Sequence, residues 1–166
     1  MNTSSAQRYV ETFTATLNFA NKVEPFKANR VEIQESTDIA GIRCWTIKAF
    51  EDRLNSATAT WTINTLRIHL AKGHTTGRSE LAPALRPPDL RADSAGYYKL
   101  DSPANNDDEI DTTLQFPSLD GSIIYTWTPG NKNLSAVFIF RAAHPDKTSF
   151  RVCGNFSINN NGSHSI

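Results

Sequence analysis

The residues best suited to chemistry lie in four places. Asp107, Asp108, Glu109 and Asp111 crowd one short stretch. Carboxylates on a flexible loop are the ligands calcium takes, so this cluster is the metal candidate, weighed against a plainer reading as a solvated loop. No helix–loop–helix pattern and no turn glycine accompany it. His69, His74, His144 and His164 have no spacing suited to zinc, and His69 falls on the polar parity of a strand, where exposure is expected. Lys22, Lys27 and Arg30 lie close together in sequence and could meet phosphates, although three cations neutralise few of them. Trp45, Trp61 and Trp127, with Tyr97, Tyr98 and Tyr125, could form a sugar-stacking platform. All three tryptophans sit inside strand patterns, which favours packing instead. A nucleophile elbow, a glycine-rich phosphate loop and a Cys–His signature are all missing from the sequence. Two carboxylates could meet only in the fold, which sequence does not reach. The expectation is a protein that is not an enzyme and takes no cofactor.

Strands must position these residues. From Phe150 to Ile158 the apolar residues Phe150, Val152, Phe156 and Ile158 share one parity, with Gly154 between them. A two-residue period marks a half-buried strand. Leu134 to Ala142 is apolar on both parities in its middle, which predicts that both of its faces are covered, and the two stretches are joined by the turn-forming run from Ala143 to Thr148. The pairing predicts Val152 and Phe156 buried against Leu134–Ala142. Upstream, Phe13 to Phe19 alternates cleanly and reads either as a strand of the body or as an arm seeking another sheet edge. Ile47, Phe50, Leu54 and Ala57 lie at helical spacing after Thr46, predicting one short helix. Trp61 and Ile63 share one parity while Leu66, Ile68 and Leu70 share the other, predicting a bulge near Asn64-Thr65. Residues 73–96 form a long proline-bearing excursion, of the kind that makes contacts. Thr112–Phe116 and Ser122–Thr128 flank Asp120-Gly121, a hairpin signal.

The count is about eight strands with one helix between the early ones. It predicts an all-β fold, an eight-stranded antiparallel jelly-roll sandwich, with an immunoglobulin-like sandwich as the nearest rival. The expected organisation is a flexible arm over 1–22, a jelly-roll domain over 23–158 and a polar tail over 159–166. Lysine plus arginine and aspartate plus glutamate both number 17, so bulk charge names no partner and no basic nucleic-acid arm is present. No apolar run has the length of a membrane span, so no membrane partner is expected. The opening residues lack the regions of a signal peptide, which predicts a cytoplasmic location and free thiols at Cys44 and Cys153.

In order and length, the stretch from Val23 to Ile158 resembles the coat proteins of small icosahedral plant RNA viruses, the tymovirus-like group above all. The residues that carry the likeness are the Pro25-Phe26 connector, a strand leading into a helix, the strand Leu66–Leu70, and the closing strand Phe150–Ile158 with its polar tail. The proline-rich run within 73–96 departs from that pattern. The resemblance implies a self-assembling jelly-roll subunit, a homo-oligomeric shell around genomic RNA with few direct contacts, and a place in the virion assembled in the host cytoplasm. The alternative, from the aromatic residues, is a carbohydrate- or ligand-binding β-sandwich module.

Overall fold

The computed structural model describes residues 10–73, 75–101 and 113–166. Eleven strands follow in order: β1 (Thr12–Asn18), β2 (Val23–Lys27), β3 (Arg30–Thr37), β4 (Arg43–Asn55), β5 (Thr60–Ala71), β6 (Thr76–Glu80), β7 (Ser94–Asp101), β8 (Thr113–Trp127), β9 (Asn133–Ala143), β10 (Ser149–Asn159) and β11 (Ser163–Ser165). A single 3-10 turn, Pro129–Asn131, separates β8 from β9. All the strands join one curled antiparallel sheet in the order β11-β3-β4-β5-β7-β8-β9-β10-β1-β2, with β6 alongside β8.

Most neighbours in this sheet are also neighbours in sequence, and β10 then returns to pair with β1. That is a meander. The Greek-key crossings of the expected jelly roll and its eight-strand count are not seen among the described strands. The two ends of the sheet are linked through the chain, because β2, at one end, runs through Ala28 and Asn29 into β3, the neighbour of β11 at the other. Ala28 donates its N–H to the Phe13 carbonyl and Asn29 donates to Phe50, so this short link ties β1 to β4 across the curl.

The inner face is one apolar cluster. Phe13 of β1 stacks on Phe156 of β10, with centroids 4.7 Å apart and planes 4° from parallel. Phe26 and Phe138 close around the same ring. Val152 lies opposite Phe140, and Phe156 opposite Ala136, in the register expected from their period. Gly154 sits between them facing inward. A Cβ there would fall 2.5 Å from the Phe138 ring, so the missing side chain is what admits that phenylalanine.

Five expectations change. Thr46–Ala57 forms no helix: Arg43–Asn55 is a strand with Ile47, Ala49 and Glu51 facing in and Phe50 and Leu54 facing out. The helical spacing of the apolar residues arose because both faces of this strand carry them, and pairing on both sides settles the backbone. The bulge near Asn64 is likewise absent, since β5 keeps register with β4 and β7 throughout. The change of parity instead reports that Trp61 and Ile63 lie on the outer face. The Asp120-Gly121 hairpin does not form either. Residues 113–127 are one long strand whose first part pairs with β7 and whose second part pairs with β9. The shift falls between Ser118 and Asp120, and Gly121 takes a φ of +151° where a Cβ would collide with the Ile139 carbonyl. The alternating stretch near the start is an integral strand rather than part of an arm, with Phe13 and Leu17 each 1% exposed. Finally, the polar tail is ordered into β11, which pairs with β3. Its His164 contacts the Glu11 carboxylate at 2.9 Å.

Phe156→Ala removes a ring from the centre of this cluster and is expected to destabilise the fold by about 3–5 kcal/mol in urea denaturation. Deleting residues 1–20 takes β1 out of the core. The shortened chain is expected to lose cooperative unfolding and its near-ultraviolet circular dichroism; retention of both would place β1 outside the folding unit.

Candidate functional site

Where β1 ends and β2 begins, the sheet faces its own opposite side across a cleft of about 470 Å³. One wall is the β1–β2 hairpin, with Leu17, Glu24 and Pro25. The other is built from the ends of β4, β5 and β7, including Arg53, Thr62, Asn64, Tyr97 and Lys99.

Strand register explains why these side chains converge. Opposite residues in adjacent strands point to the same face. Ala49, Leu66 and Tyr97 form one row across β4, β5 and β7, and all three are buried. One step toward the rim, on the same face, the row is Glu51, Asn64 and Lys99. Arg53 and Thr62 follow as a facing pair. The interior thus changes from apolar to polar in two residues along each strand.

Glu51, although 7% exposed, is well supplied with donors. Its Oε2 accepts the Lys27 backbone N–H at 2.8 Å, and its Oε1 accepts the Asn64 Nδ2 at 3.1 Å and contacts the Arg53 guanidinium at 2.9 Å. An ionised carboxylate only accepts, so the Asn64 amide must present its NH₂ to Glu51. The other end of that amide, Oδ1, is buried and has no hydrogen-bond partner. On the facing wall Lys22 pairs with Glu24 at 2.8 Å and holds its carboxyl below the usual range. Burial first, with Glu24 and Glu51 adding to it, drives the Tyr97 phenol upward and keeps it neutral. Chemically, the cleft wall offers hydrogen-bonding side chains at Arg53, Thr62 and Lys99 beside the apolar surface of Leu17 and Pro25.

The cations expected to meet phosphate are partly engaged. Lys22 holds Glu24, and Arg30 pairs with Asp52 at 3.3 Å while lying 3.9 Å from the Phe50 ring centre. Lys27 is exposed and contributes its backbone N–H to Glu51. Asp107, Asp108, Glu109 and Asp111 lie outside the described residues, as does His74. No cluster of three or more metal-holding side chains occurs among the described residues.

The aromatic platform is divided. Trp45 and Trp127 face each other 5.2 Å apart, whereas Trp61 stands 49% exposed on the outer face beside Leu54 and Asn29. Tyr97 lies in the cleft wall, Tyr98 lies under Arg67, and Tyr125 is in the core. His144 is ringed by Phe19, Phe116 and Phe150.

His69, expected to be exposed, is largely covered. Its Nδ1 lies 2.9 Å from the Thr46 hydroxyl, and burial, helped by the nearby Arg67 and Lys48, lowers its pKa from 6.5 to about 4. Sequence reasoning missed Glu51, Arg53, Thr62, Asn64 and Lys99 as a group. Their only signal was polar residues on the inward parity of three strands, which appears once the pairing is known. No protein-family model, curated protein or solved structure matches this chain.

Two outcomes follow from this chemistry. Glu51→Ala leaves the Lys27 N–H and the Asn64 amide without an acceptor and is expected to cost about 1–3 kcal/mol in denaturant unfolding. For His69, the folded-state value of about 4 lies below the unfolded 6.5, so protons bind preferentially to the unfolded chain. Its contribution is complete above pH 6.5 and declines toward pH 4, by up to about 3 kcal/mol. Thermal unfolding across this range is expected to show that loss, flattened in His69→Gln.

Proposed function

We propose that the chain is a binding module that takes a small polar ligand in the cleft between the β1–β2 hairpin and β4–β5–β7, without acting on it chemically. The observation that carries this reading is the cleft itself, about 470 Å³, in which Arg53, Thr62, Asn64 and Lys99 converge opposite Leu17 and Pro25. Concave sites with a few converging polar groups beside apolar walls are the usual form of a small-molecule site. Screening small polar fragments by ¹⁵N NMR is expected to give perturbations clustered on Thr62, Asn64, Tyr97 and Lys99. Fragments that leave these signals unmoved, or that collect elsewhere, would remove the reading.

A second reading, the self-assembling coat subunit enclosing RNA, draws on a different surface. Ile124 and Val137 stand directly opposite each other on β8 and β9 and are 56% and 62% exposed, with Ile139 beside them. Apolar side chains gathered on one sheet face favour contact with another protein surface. With 17 charges of each sign, such a subunit would hold RNA weakly and rely on protein contacts. Electron microscopy and light scattering of nuclease-treated protein test it: the reading expects particles that persist without RNA, and a monomer under all conditions removes it.

A further inference from the structure

We infer that the outer face of β8, β9, β10 and β1 joins two copies of this chain in a closed two-fold pair. None of its outward side chains lines the cleft, so the inference is independent of that site. It shares Ile124, Val137 and Ile139 with the coat-subunit reading but needs no shell. The argument begins with charge. Register places one set of outward positions side by side: Ser122 to Thr126 on β8, Ser135 to Ile139 on β9, Cys153 to Ser157 on β10 and Thr12 to Thr16 on β1. Every one of them is Ser, Thr, Asn, Cys, Val or Ile. The outer face of β3, β4 and β5 is built differently. It carries Arg67 and the cross-strand pairs Arg30–Asp52 and Glu32–Lys48. Charged residues are depleted at the centre of protein interfaces, and here they are absent from one sheet face only. Identical copies bring identical charges, so a face that meets itself must avoid them at its centre. At the margin Arg78 pairs with Glu80 and Asp120 with Arg141, each pair neutral within one copy, with Arg151 opposite Arg141.

Shape points the same way. Ile124, Val137 and Ile139 stand exposed along one side of a hollow of about 470 Å³, whose far side is Cys153, the Gly154 backbone and Asn155. Gly154 presents only backbone to this face, because a Cβ there would point inward to Phe138. A ridge and a hollow lying side by side fit a second copy of themselves. A two-fold axis in the plane between two such faces sets each ridge in the other's hollow. Size permits the contact. Five strands from β6 to β1 at about 4.8 Å, and the residues from Asp120 to Thr126 at about 3.4 Å each, make a face roughly 24 Å square. Two such faces amount to about 1,100 Å² in plan, next to the roughly 1,000 Å² that a specific interface needs. Side-chain relief adds to that area and the curl of the sheet subtracts from it. The pair therefore belongs at the weak, concentration-dependent end of specific interfaces.

The test is sedimentation velocity of nuclease-treated protein from micromolar to millimolar concentration, which is expected to show a reversible monomer–dimer equilibrium. ¹⁵N spectra over the same series are expected to move at the amides of Ile124, Val137 and Asn155 and their neighbours on this face. Val137→Lys and Ile124→Lys, each checked for wild-type circular dichroism, are expected to weaken the pair at least tenfold. Gln34→Lys, on the outer face of β3, is expected to leave it unchanged. Cys153 is expected to react more slowly with N-ethylmaleimide as the pair forms, while Cys44 is buried in either state. A monomer at every concentration overturns the inference and leaves the cleft untouched. So does a dimer that Val137→Lys and Ile124→Lys both leave intact, or whose spectral changes lie elsewhere. Dimers without larger particles remove the shell reading and keep this one. Particles that both lysine variants leave intact do the reverse.

Discussion

The structure depends on the contact between β1 and β10, centred on the stack of Phe13 on Phe156. Without β1, the meander would leave one edge of β10 and part of the apolar face uncovered. Here the strand from near the beginning of the chain closes on the strand from near its end, and the Phe26 and Phe138 rings pack around the joint. Gly154 matters for the same reason: its bare backbone lets Phe138 reach the stack. The Ala28-Asn29 link and the Glu11–His164 pair then hold the remaining seam, the first between β1 and β4 and the second between the start of β1 and the tail.

That closure also makes the cleft. Only with β1 in place does the β1–β2 hairpin stand across from β4, β5 and β7, with Leu17, Glu24 and Pro25 facing Asn64 and Lys99. The polar row Glu51–Asn64–Lys99 lies one step from the buried row Ala49–Leu66–Tyr97, so the cleft's position is fixed by register and its polarity by which residues fall at the rim. A slip of one residue in any of these pairings would turn the row outward. The interior that stabilises the molecule and the wall that would hold a ligand are consecutive positions on the same strands.

The strand period in β10 was legible because it packs one face on a continuous core, and its pairing with β9 followed from the short turn between them; β9, expected to be covered on both faces, instead leaves Val137 and Ile139 exposed on its outer one. The all-β class followed from the same signal repeated along the chain. Other segments misled for physical reasons. Residues 46–57 mimic a helix because apolar residues occupy both faces of β4, where Phe50 lies under Arg30 and Leu54 faces Trp61. Asp120-Gly121 carries hairpin chemistry but serves a strand that changes partner, and local sequence does not encode which partner a strand has. The cleft was illegible for a related reason. Glu51 fell inside the segment that reads as a helix and Asn64 at the expected bulge, while Thr62 and Lys99 carried no pattern of their own. Their association exists only across the β4–β5–β7 pairing.

The partnership of β1 with β10 also sets an order in time. A chain is made from its N-terminus at about 5–20 residues per second, and domains generally fold as units. β1 and β2 therefore emerge long before β10, the strand that covers β1's other edge. Until then Phe13 and Leu17 have no inner face to enter, and the meander from β3 to β9 has nothing to close against. Contacts between residues so far apart in sequence are slow to form, since the entropy of closing the loop is lost before the contact repays it. The nascent protein thus passes through an interval as an open sheet with an unsatisfied edge, and cellular factors that shield such edges have their opportunity then.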